Sequence, residues 1–159
     1  MSIKSLDALD IRILEFLQRD VSIPIADLAE HVRSSKSVVW RRMHLMLKSG
    51  VIRERVAVVD PRKVGFNVLI FVRVRMGGHS RDALPHFIKS VQNFPEVLEC
   101  HSLLGDVDFL LKVIVPTLDD YEYFFTKKLS RIEGVREILS SVSVSQIVST
   151  TQLPLRIPE

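Results

Sequence analysis

The hydrophobic period of this chain changes near Gly50, and this change constrains the fold more than any other feature of the sequence. Before Gly50, apolar residues recur at intervals of three and four, which is typical of amphipathic helices. After Gly50 the period is two, so that successive side chains would point to opposite sides of an extended chain. The stretch from Val68 to Met76 shows this pattern, which indicates strands. We therefore expect the 159 residues to form two units of different secondary structure.

Three short helices are predicted for the first unit. The second helix begins near Pro24, a residue suited to a first helical turn, and the third begins after Ser34-Ser35 and ends at Gly50. The first helix has Ser5 as its expected N-cap. Its apolar face consists of Leu6, Leu9, Ile13, Phe16 and Leu17. Because few residues separate the last two helices, the pattern predicts a helix-turn-helix.

The second unit is predicted to follow the order β-α-β-β-α-β, which is that of a ferredoxin-like fold. Its strands are expected at 68–76, 97–104, 109–115 and 135–148, and its helices at 82–93 and 118–132. The fold class is thus α+β. The expected domains are a winged-helix-like three-helix domain at 1–52, a β-strand linker at 53–66 and a βαββαβ domain at 67–159.

Basic residues are concentrated between Arg33 and Arg55. This stretch contains seven basic residues and one acidic residue, Glu54, so its net charge is +6. The whole chain carries only +3, so the remainder is net −3. Such a block is typical of a surface that binds a polyanion, although charge alone fits a solvated helix face equally well.

The predicted third helix presents Trp40 among outward-facing basic residues, which is unusual because tryptophan is usually buried. Insertion into a DNA major groove would explain this, and so would packing of Trp40 against a wing or a partner subunit. The residues expected to contact DNA are Ser35, Lys36, Ser37, Trp40, Arg41, Arg42 and His44.

Composition narrows the class of protein further. Apolar residues make up 47% and charged residues 26%, which is typical of a globular chain. The longest apolar run, Val68 to Val72, is too short to cross a bilayer, so we expect a cytoplasmic protein with no membrane partner. The single cysteine, Cys100, excludes an intramolecular disulfide framework and is expected to be buried. The histidines lack metal-ligand spacing and no glycine-rich phosphate loop occurs, so neither a metal nor a cofactor is expected.

An ordered set of short motifs runs along the chain. The set comprises Leu6-Asp7-x-x-Asp10, Leu28-Ala29, Ser35 with Arg42, Gly50-Val51-Ile52, Asp60-Pro61 with Gly65, Pro95-Glu96-Val97-x-Glu99-Cys100, Gly105-Asp106-x-Asp108-x-Leu110-Leu111-Lys112-Val113, and Tyr121 with Gly134-Val135. With these motifs the chain resembles, over essentially its full length, the leucine-responsive regulatory protein/AsnC family of bacterial and archaeal transcriptional regulators. The resemblance implies dimers built through the C-terminal sheets, often assembled into tetramers or octamers, with amino acids as typical effectors.

The resemblance also implies a ligand pocket at contacts between dimers, lined by the Gly-Asp-x-Asp turn and the last strand. A glycine turn can expose backbone N–H groups to a carboxylate, and Asp108 can accept an ammonium group. Alternatively, Gly105 only permits a tight hairpin and Asp108 only caps it. The residues that correspond to the pocket are Ser102, Gly105, Asp106, Asp108, Leu118, Ser141, Val142 and Ser143.

Two further expectations concern local geometry. Arg33 stands where the family usually has a glycine, so the connection between the second and third helices is expected to be less tight. Leu69 and Phe71 lie on the sheet face opposite Val68, Ile70 and Val72, and an open apolar face carries an aggregation risk. We therefore expect a symmetric dimer through that face.

The sequence thus predicts a DNA-binding transcriptional regulator, not an enzyme, whose assembly or DNA affinity responds to a small effector, most simply an amino acid. Its expected partners are double-stranded DNA, the effector, and further copies of itself. The alternative is an enzyme of the same fold that decarboxylates sirohaem. That alternative requires a tetrapyrrole pocket with His and Arg or Tyr and predicts a degraded recognition helix, whereas the basic helix here is intact.

Overall fold

A computed structural model describes residues 6–77 and 83–156. They form two compact units, one comprising the described residues up to Val58 together with those from Val148 onward, the other Val59–Ile147. None of the described helices is long and apolar enough to cross a membrane. The elements are α1 (Ala8–Leu17), α2 (Ile25–His31), α3 (Lys36–Lys48), β1 (Val68–Met76), α4 (Ala83–Gln92), β2 (Val97–Ser102), β3 (Phe109–Val115), α5 (Leu118–Lys127) and β4 (Val135–Val142), with 3₁₀ turns at Arg62–Val64 and Leu129–Arg131.

The first unit begins with a capping box at the start of α1. The Asp7 carboxylate accepts hydrogen bonds from the amides of Leu9 (2.9 Å) and Asp10 (3.0 Å). The Asp10 carboxylate in turn accepts one from the amide of Asp7 at 3.2 Å. This reciprocal pattern satisfies donors that a helix start otherwise leaves unpaired. The N-cap is therefore Asp7, whereas the predicted N-cap, Ser5, lies outside the described residues.

The turn between α2 and α3 is tight, and the expectation of a looser connection is wrong. Arg33 adopts the left-handed conformation, with φ of +54°, that a glycine would adopt there. Its amide donates to the carbonyl of Glu30 (3.0 Å), and the amide of Ser34 donates to that of Ala29 (2.9 Å). These two bonds form a Schellman motif, so the arginine accepts a strained backbone and the turn keeps its geometry.

The three helices of the first unit enclose a small apolar core. Its side chains come from all three helices and from the α2–α3 turn, as the predicted helical period requires. The buried members are Ile13, Leu14, Leu28, Ala29, Val32, Val39 and Met46.

The C-terminal tail, residues 148–156, belongs to this helical unit rather than to the predicted domain 67–159. The amide of Leu153 donates to Gln18 Oε1 (2.6 Å), and Gln18 Nε2 donates to the carbonyl of Leu153 (3.3 Å). Leu155 packs against the core of the helices. The tail is attached by contacts between residues 135 positions apart, which no local pattern reveals.

The segment expected to be a β-strand linker, 53–66, forms no strand within the described chain. Residues 53–60 have a sequence rich in strand-forming residues but are not part of a strand. Their side chains Val56, Val58 and Val59 are exposed. A strand needs a neighbour to pair its backbone groups, and none is supplied by the described part of this single chain.

The second unit confirms the predicted ferredoxin-like order. Its four strands form an antiparallel sheet in the order β2-β3-β1-β4. Ile70, Val72 and Val74 of β1 are fully buried with the phenylalanines of α4 and α5, Phe87 and Phe124. The strand β4 ends at Val142, earlier than the predicted residue 148. Its pairing with β1 ends there, at Ile70 and Val142, and is followed only by a hydrogen bond from the amide of Ser143 to the carbonyl of Leu69.

The opposite face of this sheet is open within the described chain. Phe71 is 40% exposed and Leu139 41% exposed, and they project from neighbouring strands. Leu69, Leu110 and Ile114 on the same face are only partly covered. The face therefore presents apolar side chains, with Arg73 and Lys112 among them, that the helices of this unit do not cover.

Candidate functional site

The outward face of α3 carries most of the residues predicted to contact DNA. Val39 and Met46 are buried in the helical core and fix the orientation of the helix. The opposite side is exposed along its length. Its members are Lys36, Ser37, Trp40, Arg41 and His44.

Ser35 has a defined structural position at the start of α3. Its hydroxyl accepts a hydrogen bond from the amide of Val38 at 3.3 Å, which makes it the N-cap. The first turn of α3 contains no acidic residue and begins with Lys36. This end of the helix therefore combines the partial positive charge of its free amides with a lysine, an arrangement that attracts phosphate.

Arg42 differs from the other predicted DNA contacts because it is already paired. Its guanidinium forms ion pairs with Asp7 and with Asp10, the latter at 3.0 Å. The Asp10 amide and Arg42 both lower the pKa of the Asp7 carboxyl by hydrogen bonding to it. The same carboxylate raises the pKa of Arg42. Arg42 therefore joins α3 to the start of α1, and the structure leaves it less available to DNA than its neighbour Arg41.

The remaining basic residues of the block 33–55 have no acidic partner in the described part of the chain. Only Arg42 among the seven forms an ion pair there. Arg41, on the outward face of α3, and Arg53 and Arg55, beyond it, are exposed. The positive charge that the sequence places in this block is thus largely uncompensated, which is the condition for attraction of a polyanion.

The Gly-Asp-x-Asp turn, between β2 and β3, is held firmly against the end of β1. One Asp108 carboxylate oxygen accepts from the amide of Met76 at 2.7 Å. Arg75 Nε donates to the carbonyl of Asp106 at 2.7 Å, and its Nη1 lies 3.2 Å from Glu137. Asp108 thus has a structural partner, while the Asp106 carboxylate has none among the described residues. The part played by Arg75 was missed in the sequence, because only strand pairing brings it beside the turn.

The amides of this turn have no hydrogen-bond partner within the described chain. Gly105 has φ of +153°, and nothing lies within 4 Å of the position of a Cβ. The amides of residues 104–107 donate no hydrogen bond to any part of the chain that the structure describes. Exposed N–H groups in a glycine turn form a concave site suited to an anion.

Four of the other predicted ligand residues lie at the far end of the sheet. Ser141 pairs with Phe71, near the start of β1, whereas the turn contacts Met76 at its end. Five residues of strand at about 3.3 Å each separate the two places by roughly 17 Å. Leu118 and Val142, exposed by 56% and 51%, also belong to the far end, as does Ser143. One chain therefore places the predicted ligand residues in two separate groups, not in one pocket.

A shallow cavity of about 390 Å³ between α4 and the edge strand β2 contains only one predicted ligand residue, Ser102. Cys100 also lines it and is exposed, so the expectation of a buried cysteine is wrong. Partial burial raises the pKa of the Cys100 thiol, which disfavours the thiolate form. The described residues contain no group of metal-ligating side chains.

The arrangement defines a class of protein: a helix-turn-helix whose basic face has no acidic partner beyond Arg42's among the described residues, joined to an α+β domain with an exposed glycine turn. The AsnC-type helix-turn-helix domain matches residues 6–47, and the Lrp/AsnC ligand binding domain matches residues 69–153. The chain belongs to the Lrp/AsnC family of transcriptional regulators. It is a DNA-binding regulator with an effector-binding domain, as the sequence predicts.

Similar proteins cover nearly the whole chain. The glutamate uptake regulatory protein of Zymomonas mobilis is 37% identical over 153 residues, which cover 96% of this chain and 93% of that protein. The crystal structure of an AsnC family regulator from Agrobacterium tumefaciens is 43% identical with a TM-score of 0.89 and covers 94% of this chain and 97% of its own. A regulator from Neisseria meningitidis, solved as a complex with L-Met, is 33% identical with a TM-score of 0.90 and has the same two coverages.

Proposed function

We propose that α3 enters the DNA major groove and that its outward face reads the operator. The single observation that supports this most strongly is the exposed face of Lys36, Ser37 and Arg41, whose charge no acid in the described chain compensates. Arg41 is the side chain best placed to hold guanine, while Ser35 and the first-turn amides face phosphate. Arg42 acts indirectly, by fixing α3 to α1.

The experiment is a salt titration of binding to duplexes selected in vitro from a random library. Affinity should fall with salt at a slope of about −0.9 per neutralised phosphate in a log–log plot. Arg41→Ala should cost about 1–3 kcal/mol and relax the selected sequence. Arg12→Ala, an exposed arginine on α1, is the matched control and should change neither. Salt-independent binding, or equal effects of the two variants, would contradict the proposal.

We also propose that the protein is a dimer, or a larger assembly of dimers, through the open sheet face. Phe71 and Leu139 are exposed, and so are the valines of the linker. This supports the proposal, because apolar surface of this kind is stabilised when a second copy covers it. Phe71→Glu should give monomers in multi-angle light scattering, whereas Leu84→Glu, at an equally exposed site on α4, should not. A wild-type monomer at micromolar concentration would refute the interface.

The effector that we propose is an amino acid. The free amides beside Gly105 suit its carboxylate, and the unpaired Asp106 carboxylate, with the remaining oxygen of Asp108, suits its ammonium group. Leu118 and Val142 favour an apolar or small side chain. Because these groups form two half-sites about 17 Å apart in one chain, a pocket that uses both requires a second subunit. Binding would thereby couple to assembly, and assembly to ligand affinity.

Calorimetry and thermal shift with a panel of amino acids including L-Met test this proposal. A ligand that binds only the folded state raises the melting temperature. Asp106→Asn should abolish binding without loss of stability, because the Asp106 side chain supports no described contact. Asp108→Ala should abolish the response too but also destabilise the turn, since the Met76 amide loses its acceptor. Unchanged affinity in both variants would reduce the turn to a structural element.

We finally propose that the protein acts by binding and not by catalysis, in the cytoplasm where its DNA is found. The similar proteins named above are described as regulators, which supports this. Incubation with sirohaem should leave the visible spectrum of the cofactor unchanged. A shifted spectrum and loss of carboxylate carbon as CO₂ would favour the decarboxylase alternative.

A further inference from the structure

Trp40 and His44 form a stacked pair on the outward face of α3. Their ring centroids are 5.3 Å apart and the ring planes differ by only 6°. The two residues are four positions apart, so they are neighbours on one helix face. The pair forms a flat aromatic surface, here called the plate, in the middle of a basic helix face, between Lys36 and Lys48 along the helix.

This plate contributes nothing to the core of the helical unit. Trp40 is 59% exposed and is not among the side chains packed against the buried cluster. Its indole N–H donates to no residue within the described chain. Exposing a large aromatic surface to water is unfavourable, so the plate is stabilised when another surface covers it.

The charge around the plate identifies what covers it. Arg41 follows Trp40 directly and is exposed, and the surrounding block of residues 33–55 is net +6. A surface of this charge attracts DNA rather than an apolar protein partner. In the major groove the only apolar feature of a base pair is the C5-methyl group of thymine.

We propose that Trp40 packs against a thymine methyl and so makes thymine the preferred base at one position of each half-site, next to the base held by Arg41. His44 is a positioning residue, which limits the rotamers of the indole by stacking on it. This inference rests on the proposed entry of α3 into the major groove, and it adds a base preference that the basic residues cannot supply.

The test removes the methyl group from the DNA and leaves the protein intact. A duplex selected by the wild-type protein is compared with the same duplex carrying deoxyuridine in place of one thymidine at a time. Burial of one CH₂-sized group is worth about 0.8 kcal/mol. Replacing the one thymidine of a half-site that Trp40 contacts should therefore lower the affinity about fourfold. Replacement at both half-sites should give roughly fifteenfold, the product of two such losses.

Variants assign the effect to the plate. Trp40→Ala should bind methylated and unmethylated duplexes equally, while keeping its circular dichroism spectrum and salt dependence. His44→Ala should reduce the discrimination and His44→Phe should restore it, because Phe also stacks. Arg41→Ala is the control: it should weaken binding to both duplexes while the fourfold ratio remains.

The results separate this inference from the function on which it rests. Salt-dependent binding with no methyl effect at any thymidine overturns the assignment of Trp40 and leaves the DNA-binding face in place. A methyl effect that persists in Trp40→Ala also overturns it, since another residue then makes the contact. Absence of any salt-dependent DNA binding refutes the proposed function itself.

Discussion

Removal of Arg42 should lower the stability of the helical unit rather than act mainly on DNA contacts. In Arg42→Ala, the Asp10 carboxylate, whose side chain is only 11% exposed, loses its cationic partner at 3.0 Å. Asp7 loses the same partner but is 48% exposed and well solvated. The two carboxylates are then left side by side at the start of α1.

The size of the effect follows from these exposures. An exposed ion pair contributes about 0–1 kcal/mol, which is the value that applies to Asp7. An acceptor left buried and less well satisfied costs about 1–3 kcal/mol, which applies to Asp10. The helix start still solvates both carboxylates through its amides, so we expect a total near 2 kcal/mol.

The dependence on pH provides a second signature. The hydrogen bonds from the Asp10 amide and from Arg42 lower the pKa of Asp7 in the folded state. A carboxyl with a lowered pKa stabilises the fold above its unfolded pKa, about 3.9, and loses that contribution as the pH falls through the folded pKa. The stability gap between wild type and Arg42→Ala should therefore be full at pH 7 and shrink below about pH 4.

Urea unfolding followed by circular dichroism measures both quantities. With m-values of about 1–3 kcal/mol/M, the midpoint should fall by about 1 M at pH 7. Arg41→Ala is the matched control, since Arg41 has no acidic partner among the described residues, and its stability should change by less than about 0.5 kcal/mol. Equal stability of the two variants, with Arg42→Ala losing more DNA affinity, would refute this reasoning and restore Arg42 as a direct contact.

Three further substitutions test local features of the fold by the same unfolding assay. Arg33→Gly should stabilise the helical unit by about 0.5–1 kcal/mol, because glycine relieves the left-handed backbone but is more flexible when unfolded, and a loss of stability would contradict this. Gly134→Ala should destabilise the α+β unit by more than about 2 kcal/mol, since φ is +85° and a new Cβ would lie 2.5 Å from that of Ala83, and a neutral result would show that the loop yields. Leu155→Ala should cost about 1 kcal/mol and expose the tail to proteolysis, whereas unchanged cleavage would mean that the hydrogen bonds at Leu153 suffice.

Local sequence determined the elements of this protein. Helical and alternating periods predicted α1 to α5 and β1 to β4, because each pattern reflects which side chains one element buries. Pro24 and Ser35 mark helix starts as expected, since the signals for a helix start lie within a few residues of it. The resemblance to a family then predicted how these elements combine into a complete fold and that the chain is a transcriptional regulator.

Local reasoning did not extend to partners that are distant along the chain. Nothing near Arg42 in the sequence reveals that Asp7, 35 residues earlier, engages its guanidinium. A β-pattern in residues 53–59 does not form a strand without a second strand to pair its backbone. The contacts that place the tail with the helical unit join it to Gln18 across 135 residues, which no local pattern predicts.

The predicted ligand residues show most clearly which properties local sequence predicts and which depend on distant contacts. The motifs selected residue types suited to an amino acid, since charge and backbone freedom are properties of single residues. Their placement depends on strand register, which sets Gly105 and Ser141 at opposite ends of β1. Register is fixed by burial of a whole sheet face, which is a property of the packed chain and not of any segment. Only the tertiary structure could therefore show that the predicted ligand residues fall into two separate groups.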